Sequence, residues 1–151
     1  MNLSKRPEID RFLKSPDPSV RAVVIHGKDR SGVAERAEIL CRTVTPDLND
    51  PFNVTLLTDA DVDGDEARLE EALTALSMIG GRRLVRVRLT AEKASVDKLL
   101  AGALKTHAAG GFNPDAMLVI EAGSLGRDSA LRKAAETADG AAGVVCYEDE
   151  V

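Results

Sequence analysis

Gly27-Lys28-Asp29-Arg30-Ser31-Gly32-Val33-Ala34 carries two glycines at the spacing of a phosphate-cradling loop, directly after a β-branched run and before a helical pattern. The chemistry would be nucleotide binding. That chemistry needs Lys after the second glycine to reach the outer phosphates, then Ser or Thr to hold magnesium, and the chain supplies Val33 and Ala34. Lys28 stands on the wrong side of the loop to replace it. A working hydrolase of this kind ends its fourth strand with Asp for magnesium and often Glu for water activation, whereas Leu118-Val119-Ile120 runs into Glu121-Ala122. Two independent losses describe a nucleotide loop that no longer works. A nucleotide-dependent switch or ATPase using Gly27–Gly32 is the alternative.

The stretch Asp59 to Glu70 matches a calcium-loop template, with acids at positions 1, 3 and 5, Gly64 at 6 and Glu70 at 12. A β-like Val54–Leu57 enters it where a helix is needed, and no second copy exists. An acidic cap on a helix start is therefore the expectation, with no metal site. Arg82-Arg83-Leu84-Val85-Arg86-Val87-Arg88 could contact phosphates or pair with nearby acids, and Arg82 and Arg83 are the candidate DNA contacts. His26 and His107 each sit in apolar surroundings far apart in sequence, which supports neither a metal centre nor a nucleophilic triad. No catalytic residue emerges, and no cofactor is expected.

Composition narrows the field further. With 151 residues and 44% hydrophobic content the chain suits one domain with a real core. No Trp, one Tyr and three Phe leave little for stacking on single-stranded nucleic acid. No apolar run approaches a membrane span or a signal peptide, so a cytoplasmic protein without a membrane partner is expected. Cys41 and Cys146 lie within apolar patterns and read as free thiols. The formal charge of −5 is local, because residues 59–71 hold seven acids against Arg68 alone.

The elements that must position these groups alternate. A short amphipathic helix after Pro7 precedes a strand at Arg21–His26 and a helix through Val33, Ala37, Leu40, Cys41 and Val44. A strand at Phe52–Leu57, a helical stripe of Leu69, Leu73 and Leu76, and a strand at Leu84–Leu89 follow. Next come a helix over Val96–Leu104, a strand at Ala116–Ile120, a helix over Leu131–Ala138 and a last strand at Gly143–Tyr147. Five mostly unalternating strands separated by helices imply a three-layer α/β/α domain around a five-stranded parallel sheet. Between the third helix and its strand, Leu76-Ser77-Met78-Ile79-Gly80-Gly81 places large apolar residues beside a Gly-Gly break. Exposed, they need a partner; folded back, they merely close the helix.

The degenerate loop, the corner Ser77–Val85 and the run Leu125-Gly-Arg-Asp-Ser129-Ala-Leu131-Arg132-Lys133 together resemble the delta subunit of the bacterial DNA polymerase III clamp loader, over all 151 residues. The resemblance implies an AAA+ (P-loop NTPase-like) fold that does not itself use ATP, which agrees with Val33, Ala34 and Ala122. It implies that Met78 and Ile79, flanked by Leu76, Ser77 and Gly80, insert into the sliding clamp (beta subunit) and help open its ring during DNA replication. Met-Ile stands where a Leu-Phe pair is usual in that family. The resemblance further implies an N-terminal domain at residues 1–151, with lid and collar domains beyond Val151 that contact the other clamp-loader subunits. The domain would then be a non-enzymatic component of a DNA-directed DNA polymerase holoenzyme, a nucleotidyltransferase, touching DNA only weakly.

Overall fold

The computed structural model describes residues 1–78 and 80–146. Within them six strands form one parallel sheet: β1 (Asn2–Leu3), β2 (Ala22–His26), β3 (Val54–Thr58), β4 (Leu84–Arg88), β5 (Met117–Ala122) and β6 (Ala141–Val145). The order across the sheet is β1-β6-β2-β5-β4-β3. The expected count of five strands is thus corrected to six. The extra one, β1, pairs Asn2 with Gly143 and Leu3 with Val144, and two residues with a single apolar side chain carry no periodicity to detect. The third strand begins two residues later than its β-branched run suggested, leaving Phe52 in a turn.

Among the described residues six helices cover the two faces. On one face α1 (Arg6–Lys14) and α2 (Arg30–Val44) bury Ile9, Phe12, Leu13, Val33, Ala37 and Leu40 against Val23, Ile25, Met117 and Val119. On the other, α3 (Asp59–Val62), α4 (Glu66–Thr74), α5 (Ala94–Ala108) and α6 (Ala130–Thr137) pack Val62, Leu69, Leu73, Leu100, Leu104 and Leu131 over Val24, Val85, Leu118 and Ile120. Every residue of β2 and β5 is buried. Covered on both faces, these strands have no polar side to show, which is why their sequences do not alternate.

The chain leaves β2 through α2 on the first face and leaves β5 through α6 on the second. Adjacent strands whose outgoing connections part in this way leave a crevice at their carboxyl ends, where α/β sheets generally receive ligands. The corner at residues 75–83 lies elsewhere, between α4 and β4 at the amino end of the strands. Two candidate sites therefore sit at opposite ends of the sheet.

Candidate functional site

At the crevice between β2 and β5 the protein fills the space itself. Helix α2 begins at Arg30, so only Gly27, Lys28 and Asp29 bridge strand and helix, and Gly32 lies inside the helix. Gly27 is pressed against Cys146, just past the last strand, so closely that an added Cβ would lie 2.2 Å from the Cys146 carbonyl oxygen. The Val33 side chain is buried in the core. The Arg30 guanidinium donates to the carbonyls of Leu89 (2.9 Å) and Thr90 (3.2 Å). It also lies over Gly123, where a Cβ would meet Nη2 at 3.2 Å. Glu121 is occupied as well: one carboxylate oxygen accepts from Arg86 Nε at 3.1 Å and Nη2 at 2.9 Å, and the other faces Arg88 Nε at 3.7 Å.

A cleft of about 710 Å³ remains beside this crevice, lined by Arg30, Lys93, Asp97, Lys98, Ser124 and Asp128 among others. Its best anion donors are already bound. Asp97 accepts from Ser129 Oγ (2.6 Å) and from the amides of Ala130 (2.8 Å) and Leu131 (3.3 Å), so the free N–H groups of α6 hold the protein's own carboxylate. A phosphate arriving here would have to displace it.

The acidic stretch is dispersed rather than gathered. Asp61 closes a capping box with Thr58, accepting its amide at 2.8 Å, and meets Arg68 at 3.2 Å. Hydrogen bonds from the Thr58 amide and hydroxyl hold its pKa low. Asp65 caps α4 through the Arg68 amide, and Asp63 pairs with Lys93. Burial pushes the Asp59 carboxyl up, but bonds from Thr90 and the Ala91 amide outweigh it and hold the pKa below the usual range. Among the described residues no cluster of His, Cys, Asp or Glu is placed to hold a metal ion. His107 is buried, with Nε2–H donating to the Ala116 carbonyl at 2.7 Å and its ring stacked on Phe112. His26 is buried at the end of β2.

At the other end of the sheet the corner is built from a short helix stop and a hydrogen-bonded node. Helix α4 ends at Thr74, not at Leu76, and Ala75 is extended, so Leu76 leaves the helical stripe and stands 74% exposed. Asn113 holds this exit, donating from Nδ2 to the Ala75 carbonyl (3.0 Å) and from its amide to the Leu73 carbonyl (3.0 Å). The Ser77 hydroxyl lies 2.6 Å from Asn53 Oδ1 and 2.7 Å from the Gly80 carbonyl, which also accepts from Asn53 Nδ2 at 3.3 Å. Gly80 and Gly81 follow with φ of 84° and 88°, a left-handed pair that residues with a Cβ rarely adopt. Between the two halves of this node Met78 is 92% exposed. Ile79 lies outside the described residues.

The arginines of the following strand divide. Arg82 stays exposed, with Nε donating to the Asp115 carbonyl at 3.3 Å. Arg83 turns inward, donating to the Phe52 carbonyl (2.6 Å) and the Thr55 hydroxyl (2.9 Å), so its fork braces the turn before β3 instead of facing solvent. Arg86 and Arg88 pair with Glu121 across the sheet, not with the acidic stretch. The residues that sequence reasoning missed are Asn53 and Asn113, which hold the corner in place. Asn113 precedes Pro114, a dipeptide that favours turns, but nothing in one sequence shows which distant carbonyl an asparagine will reach.

No family model matches the chain, and no curated protein matches its sequence. Among solved structures the fold is similar to the Bacillus subtilis DNA clamp loader delta protein, with a TM-score of 0.61 and 18% sequence identity. The match covers 92% of this chain but only 41% of that protein. At this identity the likeness shows the fold.

Proposed function

We propose that this chain is a non-catalytic clamp-loader domain that docks on a sliding clamp through the corner Leu76, Ser77, Met78, Ile79 and Gly80, and helps open the ring during DNA replication in the cytoplasm. One observation carries the reading: a long apolar side chain, Met78, is 92% exposed on a loop fixed at both ends by buried asparagines. Exposing such a group on a braced loop is unfavourable without a partner that covers it, and a preformed loop loses little conformational freedom on docking. The fold likeness to a clamp loader delta protein supplies the partner class. The crevice filled by Arg30 and Gly27 supports a role without nucleotide turnover.

In this reading Met78 and Ile79 enter an apolar pocket on the clamp, and two buried anchors of that size contribute roughly 3–6 kcal/mol before association costs. Arg82 lies at the rim, where it reaches DNA or acidic clamp residues weakly. Contacts with other loader subunits, and membership of the polymerase holoenzyme, would rest on chain beyond this domain. Calorimetry of the purified chain with the sliding clamp from the same cell tests the reading. The double substitution Met78→Asp with Ile79→Asp is expected to weaken binding at least about a hundredfold while leaving the melting temperature unchanged. Equal affinity in a folded double variant would refute it.

A further inference from the structure

Six large apolar side chains are conspicuously exposed among the described residues, and Phe52, Leu56, Leu76 and Met78 all belong to the corner or to the edge strand beside it. Phe52 is the aromatic member, 57% exposed. It sits one residue from Asn53, and Met78 sits one residue from Ser77, so the two flank the ends of a single 2.6 Å hydrogen bond. Its backbone is fixed from both sides. The Phe52 amide donates to the Asp50 carboxylate at 2.9 Å and its carbonyl accepts from Arg83 at 2.6 Å. The preceding turn is itself held by Asp47, which accepts from the Asn49 amide at 3.0 Å.

We infer that Phe52 is a further anchor of the docking corner, packing on the same clamp surface that receives Met78. The inference rests on the clamp-binding reading and specifies its chemistry: the clamp presents an apolar surface broad enough for an aromatic ring beside a methionine pocket. A ring on a fixed backbone has only two side-chain torsions to order, so it contributes contact area with little entropic opposition. Leu56 lies four residues on, within the edge strand, outside the node.

Calorimetry of the whole chain with the cognate clamp separates the possibilities. Phe52→Ala is expected to weaken binding about five- to thirtyfold, Phe52→Leu to recover part of the loss, and Leu56→Ala to stay within about twofold of the parent. If Phe52→Ala and Phe52→Leu both bind like the parent while Met78→Asp does not, the aromatic anchor is overturned and the docking reading stands. If Met78→Asp also binds like the parent, the docking reading itself fails. Melting curves identify a variant that has lost the turn, and for such a variant the folded Phe52→Leu protein decides. Sedimentation of the free chain supplies the remaining outcome: a dimer that Phe52→Ala converts to monomer would show a second copy covering the ring, and would overturn the assignment to the clamp.

Discussion

Glu121 has a side chain suited to one task and a setting that gives it another. A carboxylate at the end of β5 could serve magnesium, yet here it neutralises Arg86, which is itself buried on the neighbouring strand. Removing one member of such a pair leaves a buried charge without a partner and costs about 3–5 kcal/mol. Glu121→Ala should therefore lower the denaturation midpoint sharply, and a midpoint equal to that of the parent would show that the pair does not support the fold. His26 supplies a pH dependence at the same scale. Burial first, then the nearby Arg132, push its pKa down to about 4, with Glu136 opposing. The unfolded chain accepts this proton near pH 6.5, so His26 contributes fully above that pH and its contribution is lost as the pH falls toward 4. His107, lowered chiefly by burial, acts in the same direction. Urea denaturation should give a lower midpoint at pH 5 than at pH 7.5, and His26→Gln should narrow that difference. That Val33 and Ala34 supply neither the Lys nor the Ser or Thr of a phosphate loop was legible as residue identities. The inward turn of Arg83 was not, because four arginines in one run look alike until the fold chooses which side of the strand each occupies.

At the scale of elements, β-branched runs located every described strand of four or more residues; in β2, β4, β5 and β6 burial on both faces writes itself into composition, whereas the edge strand β3 is only partly buried and was found by its β-branched residues alone. Boundaries were less legible. Leu76 continued the stripe of Leu69 and Leu73, but Asn113 captures the Ala75 carbonyl and ends the helix early, a tertiary contact no local pattern announces. The exposed corner depends on that capture and on the Asn53 node. Asn53→Ala should speed amide exchange across residues 77–81 and weaken clamp binding several-fold while leaving exchange in β2 and β5 unchanged. Unaltered exchange in the corner would mean that the glycine pair alone fixes the loop. Gly80→Ala isolates the other half: no atom lies within 4 Å of its added Cβ, so only the left-handed backbone resists, at a cost of about 1 kcal/mol.

For the molecule as a whole, the sheet separates two ends with opposite fates. At the carboxyl end, where ligands usually bind such sheets, Arg30 and Gly27 against Cys146 occupy the crevice, and Asp97 takes the α6 amides in the cleft beside it. The amino end carries the exposed apolar corner. Magnesium-ATP at about 1 mM should then leave the melting temperature unchanged, since a ligand that binds only the folded state must raise it. A rise of several degrees that Glu121→Gln removes would restore the nucleotide reading. The proposal that this end docks can be tested by contact. Both native thiols are buried, and burial pushes Cys41 up to about 12 and raises Cys146, so neither competes for a thiol reagent. Met78→Cys and, separately, Lys28→Cys can therefore each carry a photo-crosslinker at a single exposed position. On illumination with the cognate sliding clamp, a covalent adduct is expected from position 78 and none from position 28; adducts from position 28 alone, or from neither at concentrations where the two proteins bind, would refute docking through this corner.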